Sequence, residues 1–405
     1  MQVKRRTTAC ERQCSGRVAK EGARMRIVTL LQPKRVVVGE NCVLQCAAEA
    51  SGLGLRRVLV VTNAGIEGLS EPLRASLREH GVESSVFSRI AAEPSVATFE
   101  EALAAARVWG ADGVIGIGGG SAMDVAKLVA ALHHCGQSLR EVFGINLLKC
   151  RPNWLACIPT TSGTGSEVSP NAILFDEESQ VKKGVISPSL LPDSAYIDSL
   201  LTLSVPPSVT AATGIDALSH CIESYGNKFH HPAVDLYALT GIRLISQSLL
   251  RAVRHGQDRA ARADLAFGSY YGGLCTGPVN TAAAHALAYP LGGEFHVAHG
   301  VSIAVLLPHV LKFNLPAAPE RYAKIALALG VRPGGTPERT AKRGLEHLTR
   351  LCLDCGIPMR LSELGVPREA LPAMAKSAVG ITRLMKNNLR EMTADDAIGI
   401  YEEAY

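Results

Sequence analysis

Four residues in the second half of the chain have the types and spacing to hold a metal ion. Asp216 and His220 lie four apart in a stretch of helical periodicity, so both project from one face, one turn apart. A carboxylate and an imidazole so placed can share a divalent cation, although a helical hydrogen bond or a core histidine explains that pair alone more simply. His285 and His299 change the balance. They flank Tyr289-Pro290-Leu291-Gly292-Gly293, a run that predicts a broken helix and hence two separate arms, each delivering one imidazole. The resulting Asp-His-His-His set suits a divalent transition metal without identifying it, because similar ligands serve Fe, Zn or Co. A cation held this way, with an open position, acidifies an alcohol and polarises the carbonyl that it becomes. Hydride can then pass to a nicotinamide, with no redox change at the metal.

The first half carries what a dinucleotide requires. Gly116-Ile117-Gly118-Gly119-Gly120-Ser121 follows a β-branched run and opens a helical stretch over 122–133. Glycines there let the backbone approach a pyrophosphate, and the free N–H groups of the helix start point at the anion. Ser121 either caps the helix or bonds a phosphate. The run is not GxGxxG, and a tight strand-to-helix connection has the same composition. A second turn places Thr160, Thr161, Ser162 and Thr164 among glycines. These hydroxyls suit a ribose or a carboxamide, although an ordinary capped loop looks alike.

Two kinds of structure must position these residues. From Arg57 onward, β-branched runs at 58–62, 82–87, 113–117, 155–159, 172–175 and 195–198 alternate with helical stretches such as 98–109. That alternation predicts a parallel sheet covered by helices. After Val205-Pro206-Pro207 the strand signal stops and apolar-periodic helices take over. The expected architecture is an α/β dinucleotide-binding domain over 26–205 and an all-α metal-binding domain over 206–405, with the site where they meet.

Charge narrows the field. Residues 1–26 carry eight Lys and Arg against two Glu, a net of +6, so the remainder of a chain whose total is +5 has a net of −1. A near-neutral body leaves no footprint for a phosphate backbone, which argues against nucleic acid as a partner. The basic head lacks the apolar segment of a secretory signal; it is expected to be a disordered extension over 1–25 or to precede a working start at Met25, with a transit peptide as the alternative. Without some 20 uninterrupted apolar residues, no spanning helix and no membrane role are expected. Eleven cysteines among apolar neighbours suit a reducing compartment, the cytoplasm, and Cys352-Leu353-Asp354-Cys355 reads as packing, since no second pair accompanies it. Apolar helices in the second half are compatible with a homo-oligomer.

Four motifs in order resemble the iron-containing (group III) alcohol dehydrogenases: GGGSAMDVAK at 118–127, PTTSGTGSEVSPNAILFD at 159–176, AATGIDALSHCIESY at 211–225 and AHALAYPLGGEFHVAHG at 284–300. The resemblance implies a dehydroquinate-synthase-like fold, with the nucleotide along the first domain and the metal in the second. It implies Fe2+, with Zn2+ as the alternative, on Asp216, His220, His285 and His299. By the same likeness Gly118, Gly119, Gly120 and Ser121 contact the pyrophosphate of NAD or NADP, with Asp124 nearby. Thr160, Thr161, Thr164 and Asn171 match the nicotinamide and ribose side, and Lys182 matches a cofactor-contacting lysine, its neighbour Lys183 being a solvated charge. The implied reaction is hydride transfer between NAD(P) and a small primary alcohol or aldehyde.

Two positions depart from the family pattern. Members that use NAD commonly present Asp to the adenosine ribose after the opening strand, where this chain has Asn63, so NADP becomes acceptable. Many members have His where this chain has Tyr289, the candidate catalytic residue facing the substrate. Family members acting on 4-hydroxybutyrate can carry Tyr there, which makes a short hydroxy acid the alternative substrate. A phenol is a poorer proton acceptor than an imidazole near neutral pH, so a shaping and hydrogen-bonding role is expected. A dehydroquinate-synthase-type lyase is disfavoured by the complete Asp and three-His set, and a metal-dead relative would lack a ligand.

Overall fold

The computed structural model describes residues 26–405 except Ala92 and Gln180, so the expected basic extension over 1–25 lies outside the described residues. The first half alternates β1 (Arg35–Val38), α1 (Gln45–Gly52), β2 (Arg57–Asn63), α2 (Glu71–Glu79), β3 (Glu83–Ile90), α3 (Val96–Trp109), β4 (Gly113–Gly118) and α4 (Gly120–Leu132). It continues through α5 (Leu139–Val142), β5 (Gly144–Ile145), β6 (Trp154–Pro159), β7 (Asn171–Asp176), β8 (Val181–Ile186) and β9 (Ser194–Ile197). Six strands form a parallel sheet in the order β1-β9-β6-β4-β2-β3. Val58, Leu59, Val60 and Val61 are apolar at every position because both faces of β2 are covered. Leu59 and Val61 meet Phe99 and the apolar face of α4, while Val58 and Val60 meet Leu73 and Leu77 of α2.

Connections leave the sheet in opposite directions at its middle. β2 leads outward to β3, whereas β4 leads the other way to β6. The carboxyl ends of β2 and β4 therefore border a crevice, the place where parallel α/β sheets bind ligands. Asn63 ends β2, the glycine turn ends β4, and Thr160 follows β6, whose Pro159 pairs with Gly118.

A smaller sheet orders β5-β8-β7, with β7 and β8 antiparallel. The sequence reading did not anticipate β8, because Val181-Lys182-Lys183-Gly184 lacks the apolar run of a buried strand. Alternation along that strand separates its two lysines. Lys182 faces the cleft, while Lys183 reaches the buried Asp176 at 2.6 Å, so Lys183 is a paired charge and not the solvated one expected.

After Ile197 the described residues hold helices and short turns only: α6 (Pro207–Tyr225), α7 (Pro232–Arg254), α8 (Arg259–Thr276), α9 (Ala283–Phe295) and α10 (His299–Asn314). The chain ends through α11 (Pro319–Ala328), α12 (Pro337–Asp354), α13 (Leu371–Val379), α14 (Thr382–Met385) and α15 (Ala394–Glu403). By length and composition His299–Ala317 passes for a membrane span, yet most of it is buried inside the protein as the central core helix. Cys352 and Cys355 are unpaired and buried, as packing residues.

Two local expectations are corrected. The Tyr289–Gly293 run does not break its helix, because α9 continues through Pro290 to Phe295. One lost backbone hydrogen bond is outweighed by burial of Leu287, Ala288 and Leu291, and the turn comes where His296 adopts a left-handed φ of 53°. Ser121 is not the cap of α4; Gly119 holds that position and Ser121 is already inside the helix.

The two halves are joined tightly at one point. Gly165 has φ 61°, and a β-carbon there would overlap the main chain of Gly273 in α8. Only glycine on both sides lets the hydroxyl-rich turn lie flat on the helical half.

Candidate active site

Asp216 and His220 share one face of α6, as their spacing requires. The N-terminal turn of α9 brings His285, and His299 is the first residue of α10. The Nε2 atoms of His220, His285 and His299 lie 3.8, 3.6 and 3.6 Å from Asp216 Oδ1. These gaps exceed hydrogen-bond length. They are close to the roughly 3.4 Å that separates ligands arranged tetrahedrally at about 2.1 Å around one divalent ion. Among the described residues, Asp216, His220 and His285 form a buried group of ligand atoms within 4.8 Å of one another. The His299 side chain is 40% exposed and opens toward the cleft.

Asp216 Oδ1 and His285 Nε2 are buried without a hydrogen-bond partner. Orphaned atoms of this kind are costly unless something outside the polypeptide satisfies them, so the donor set fits a metal ion. Burial opposes ionisation of Asp216, but the imidazoles of His220, His299 and His285 outweigh it and hold the carboxyl below its ordinary range. Burial also pushes His285 down, yet Glu223 and Asp216 overcome it and raise the imidazole to about 9. His220 is lowered by burial, with Asp216 pulling the other way. A cation entering here takes the place of the proton that His285 otherwise holds.

Glu223 was missed in the sequence. Its Oε2 pairs with His285 Nδ1 while its Oε1 accepts the Ala284 N–H at 2.8 Å. This carboxylate fixes the ring so that Nε2 faces Asp216. The signal was present, since 216, 220 and 223 fall on one helical face.

The glycine turn is braced from β2. Asn63 Oδ1 accepts the Gly119 N–H at 2.9 Å, and Asn63 Nδ2 donates to Ser121 Oγ at 2.8 Å. A β-carbon at Gly118 would sit 2.8 Å from the Ala122 β-carbon, and one at Gly120 would sit 2.7 Å from Thr164 Oγ1. Thr160 N–H donates to Gly118 O at 2.9 Å, and Thr161 lies beside Gly119. All the sequence-derived glycine and threonine candidates therefore meet at one crevice.

Asp124 spends its oxygens inside the protein, accepting from Ser166 Oγ at 2.6 Å and from the Ile173 N–H at 2.9 Å. Beside it Lys127 is fully buried and donates to Ser166 Oγ, Ser169 O and Asn171 O. Asp124 and Lys127 thus fasten α4 to the 166–173 segment, which bears Asn171. Lys127 lay within a quoted motif, but nothing in its spacing distinguished it from a surface lysine.

A cleft of about 240 Å³ joins the two regions, touching Gly120, Ser121 and Thr164 as well as Lys182 and all four candidate ligands. Asn63, Gly118, Gly119, Thr160 and Thr161 do not line it themselves; Asn63 is joined to the lining residue Ser121 by a hydrogen bond. Lys182 pairs with Glu93 at 2.5 Å. Tyr289, one turn beyond His285, lines the same cleft and accepts a hydrogen bond from Arg383 Nη2 at 2.5 Å. Arg383, on α14, was not anticipated, because it follows the last motif with chemistry by more than eighty residues.

Comparison with known proteins bears on the whole chain. A family model described as iron-containing alcohol dehydrogenase matches residues 33–199, and one for the C-terminal part of the Fe-containing alcohol dehydrogenase family matches 210–405. The chain is 41% identical to long-chain-alcohol dehydrogenase 1 of Geobacillus thermodenitrificans over 387 residues, 94% of this chain and 98% of that protein. It is 32% identical to the NAD-dependent methanol dehydrogenase of Bacillus methanolicus over 375 residues, 92% of this chain and 98% of that one. The crystal structure of a 1,3-propanediol oxidoreductase superposes with a TM-score of 0.91 at 33% identity, covering 94% of this chain and all of that one.

Proposed function

The chain belongs to the iron-containing alcohol dehydrogenase family, an oxidoreductase family, and on that premise we propose that it interconverts small primary alcohols and aldehydes with NAD or NADP. The observation that carries this reading is the convergence of three imidazole nitrogens on the orphaned Asp216 oxygen, in a cleft that also touches the glycine turn. When bound, a divalent metal supplies Lewis acidity toward the substrate oxygen and the nicotinamide exchanges hydride with the substrate carbon.

The chain's own residues bind and orient. Asp216, His220, His285 and His299 hold the ion, with Glu223 fixing one ring. Gly118, Gly119, Gly120 and Ser121 receive the pyrophosphate at the start of α4. Thr160, Thr161, Thr164 and Asn171 border the nicotinamide side, and Lys182 stands between the cofactor and the metal. Asn63 adds no charge at the adenosine end, so it repels neither NAD nor the 2′-phosphate of NADP. Tyr289 shapes the substrate space and offers a hydroxyl to it. Relatives named for a long-chain alcohol, methanol and 1,3-propanediol differ in the alcohol they take, so the substrate of this chain follows from its own cleft.

The test is metal analysis combined with nicotinamide absorbance on a panel of short primary alcohols and aldehydes. Redox turnover that needs bound metal is expected. His220→Ala should lose both while keeping the fold and dinucleotide binding. Undiminished turnover by metal-free His220→Ala protein overturns the metal reading.

A further inference from the structure

Carboxylates answer nearly every cation around the cleft. Lys182 is paired with Glu93, Lys183 with Asp176, and Lys127 lies 3.8 Å from Asp124. Arg383 differs. Among the described residues it has no carboxylate within ion-pair distance; its guanidinium bonds the Tyr289 hydroxyl and approaches that ring at 5.5 Å. It is half-buried and lines the cleft that holds the four candidate ligands.

Arg383 also lines a second cavity, of about 350 Å³, which shares Ile186 and Asn280 with the first. That second cavity carries Arg26 and Lys386 as well, and among the described residues no acidic one lines it. Three cations thus line two adjoining cavities, and the one common to both, Arg383, has donors to spare. A guanidinium has five N–H groups in a planar fork that matches two oxygens of an anion. Tyr289 lies four residues beyond His285 on α9, about 6 Å along the helix axis. The hydroxyl that Arg383 holds therefore lines the same cleft as the ligand cluster, one helical turn along α9 from His285.

Building on the alcohol and aldehyde reading above, we propose that the substrate carries an anionic head group, a carboxylate, sulfonate or phosphate monoester, which Arg383 receives while the other end reaches the metal. Arg383 is a specificity-determining residue. Arg26 and Lys386 draw the anion in from solvent. The reaction's electron balance is unchanged, since the head group takes no part in it.

The experiment compares 4-hydroxybutyrate, 3-hydroxypropane-1-sulfonate and 3-hydroxypropyl phosphate with 1-butanol, using metal-loaded enzyme and its preferred dinucleotide. At least one anion should exceed 1-butanol in kcat/KM by tenfold or more, and which one does so identifies the head group. Arg383→Met should lower that anion-to-butanol ratio by about 10- to 100-fold, and Arg383→Lys should restore part of it. Should Arg383→Met fail to fold, the wild type still decides: kcat/KM for the anion should fall as salt rises from 0.02 to 0.3 M, while that for 1-butanol stays flat. Calorimetric binding of butyrate and butyramide to the enzyme–dinucleotide complex reads the site without turnover, and butyrate should bind the more tightly. Butanol turnover equal to or better than every anion, or a ratio indifferent to Arg383→Met, overturns this inference and leaves the dehydrogenase reading standing. Absence of turnover on all substrates, with butyrate still preferred over butyramide, overturns the dehydrogenase reading instead and leaves an anion site at Arg383.

Discussion

Gly300 lies so close to Ala212 that a β-carbon on it would overlap the Ala212 carbonyl oxygen. Ala212 is one turn before Asp216 on α6, and Gly300 directly follows His299 at the start of α10. This contact sets the spacing between two candidate ligands from different helices. Gly300→Ala must push the first turn of α10 outward and take His299 away from its 3.6 Å approach to Asp216. Overpacking of this kind costs about 1 to 3 kcal/mol. Denaturant unfolding should show that loss, and metal analysis with turnover should show reduced occupancy and at least tenfold slower reaction. Wild-type metal content and rate in the variant would mean that the ligand spacing is set elsewhere.

Glu223 gives a second prediction, because it touches the metal cluster only through His285. Glu223→Gln keeps the size and the acceptor for the Ala284 N–H but removes the charge that helps to raise His285 to about 9. Ring orientation should survive in part. Metal affinity, measured by competition with a chelator, is expected to fall about 10- to 100-fold. Unchanged affinity would show that the α9 backbone alone aims the ring.

What the sequence disclosed about this site depended on how local each signal was. Asp216 and His220 were legible because helical periodicity fixes their common face, and Val58 to Val61 because a strand covered on both sides must be apolar throughout. His285 and His299 were legible as two arms, although the run expected to separate them stays helical and His296 makes the turn. Partners made by tertiary packing left little trace. Arg383 meets Tyr289 across 94 positions, and the Asn63 contact with Gly119 spans 56. Neither distance is encoded in a spacing. Strand β8, which pairs with the anticipated run at 172–175, was hidden for another reason: Val181-Lys182-Lys183-Gly184 reads as a polar loop.

Asn63 yields a prediction about cofactor choice that the structure sharpens. The side chain accepts from Gly119 N–H and donates to Ser121 Oγ. An aspartate can keep both contacts, since it accepts from the amide and the serine hydroxyl can turn to donate to it. Asn63→Asp should therefore preserve the glycine turn while adding a charge that bonds ribose hydroxyls and repels a 2′-phosphate. The ratio of kcat/KM for NAD to that for NADP should rise by tenfold or more, with little change in melting temperature. An unchanged ratio would place the adenosine ribose away from residue 63.

Glu167 supplies the pH-dependent prediction, being 2% exposed in the segment that joins the two halves. Burial raises its carboxyl from an ordinary 4.5 to about 7, against the pull of its own backbone N–H and of Lys127. In the unfolded chain the proton leaves near 4.5, whereas the folded protein retains it up to about 7. Between those values the folded state binds more protons, so this group's contribution to stability declines as pH rises through the window and is level above it. The gap corresponds to about 3 kcal/mol. Glu167→Gln replaces the protonated acid with a neutral amide of the same shape. The variant should match the wild type near pH 4.5 and exceed it at pH 8 by up to that amount. Chemical denaturation of metal-free protein at both pH values measures this without interference from metal release. A difference between the two proteins that is the same at pH 4.5 and pH 8 would mean that Glu167 is ionised in the folded state throughout, held so by Lys127.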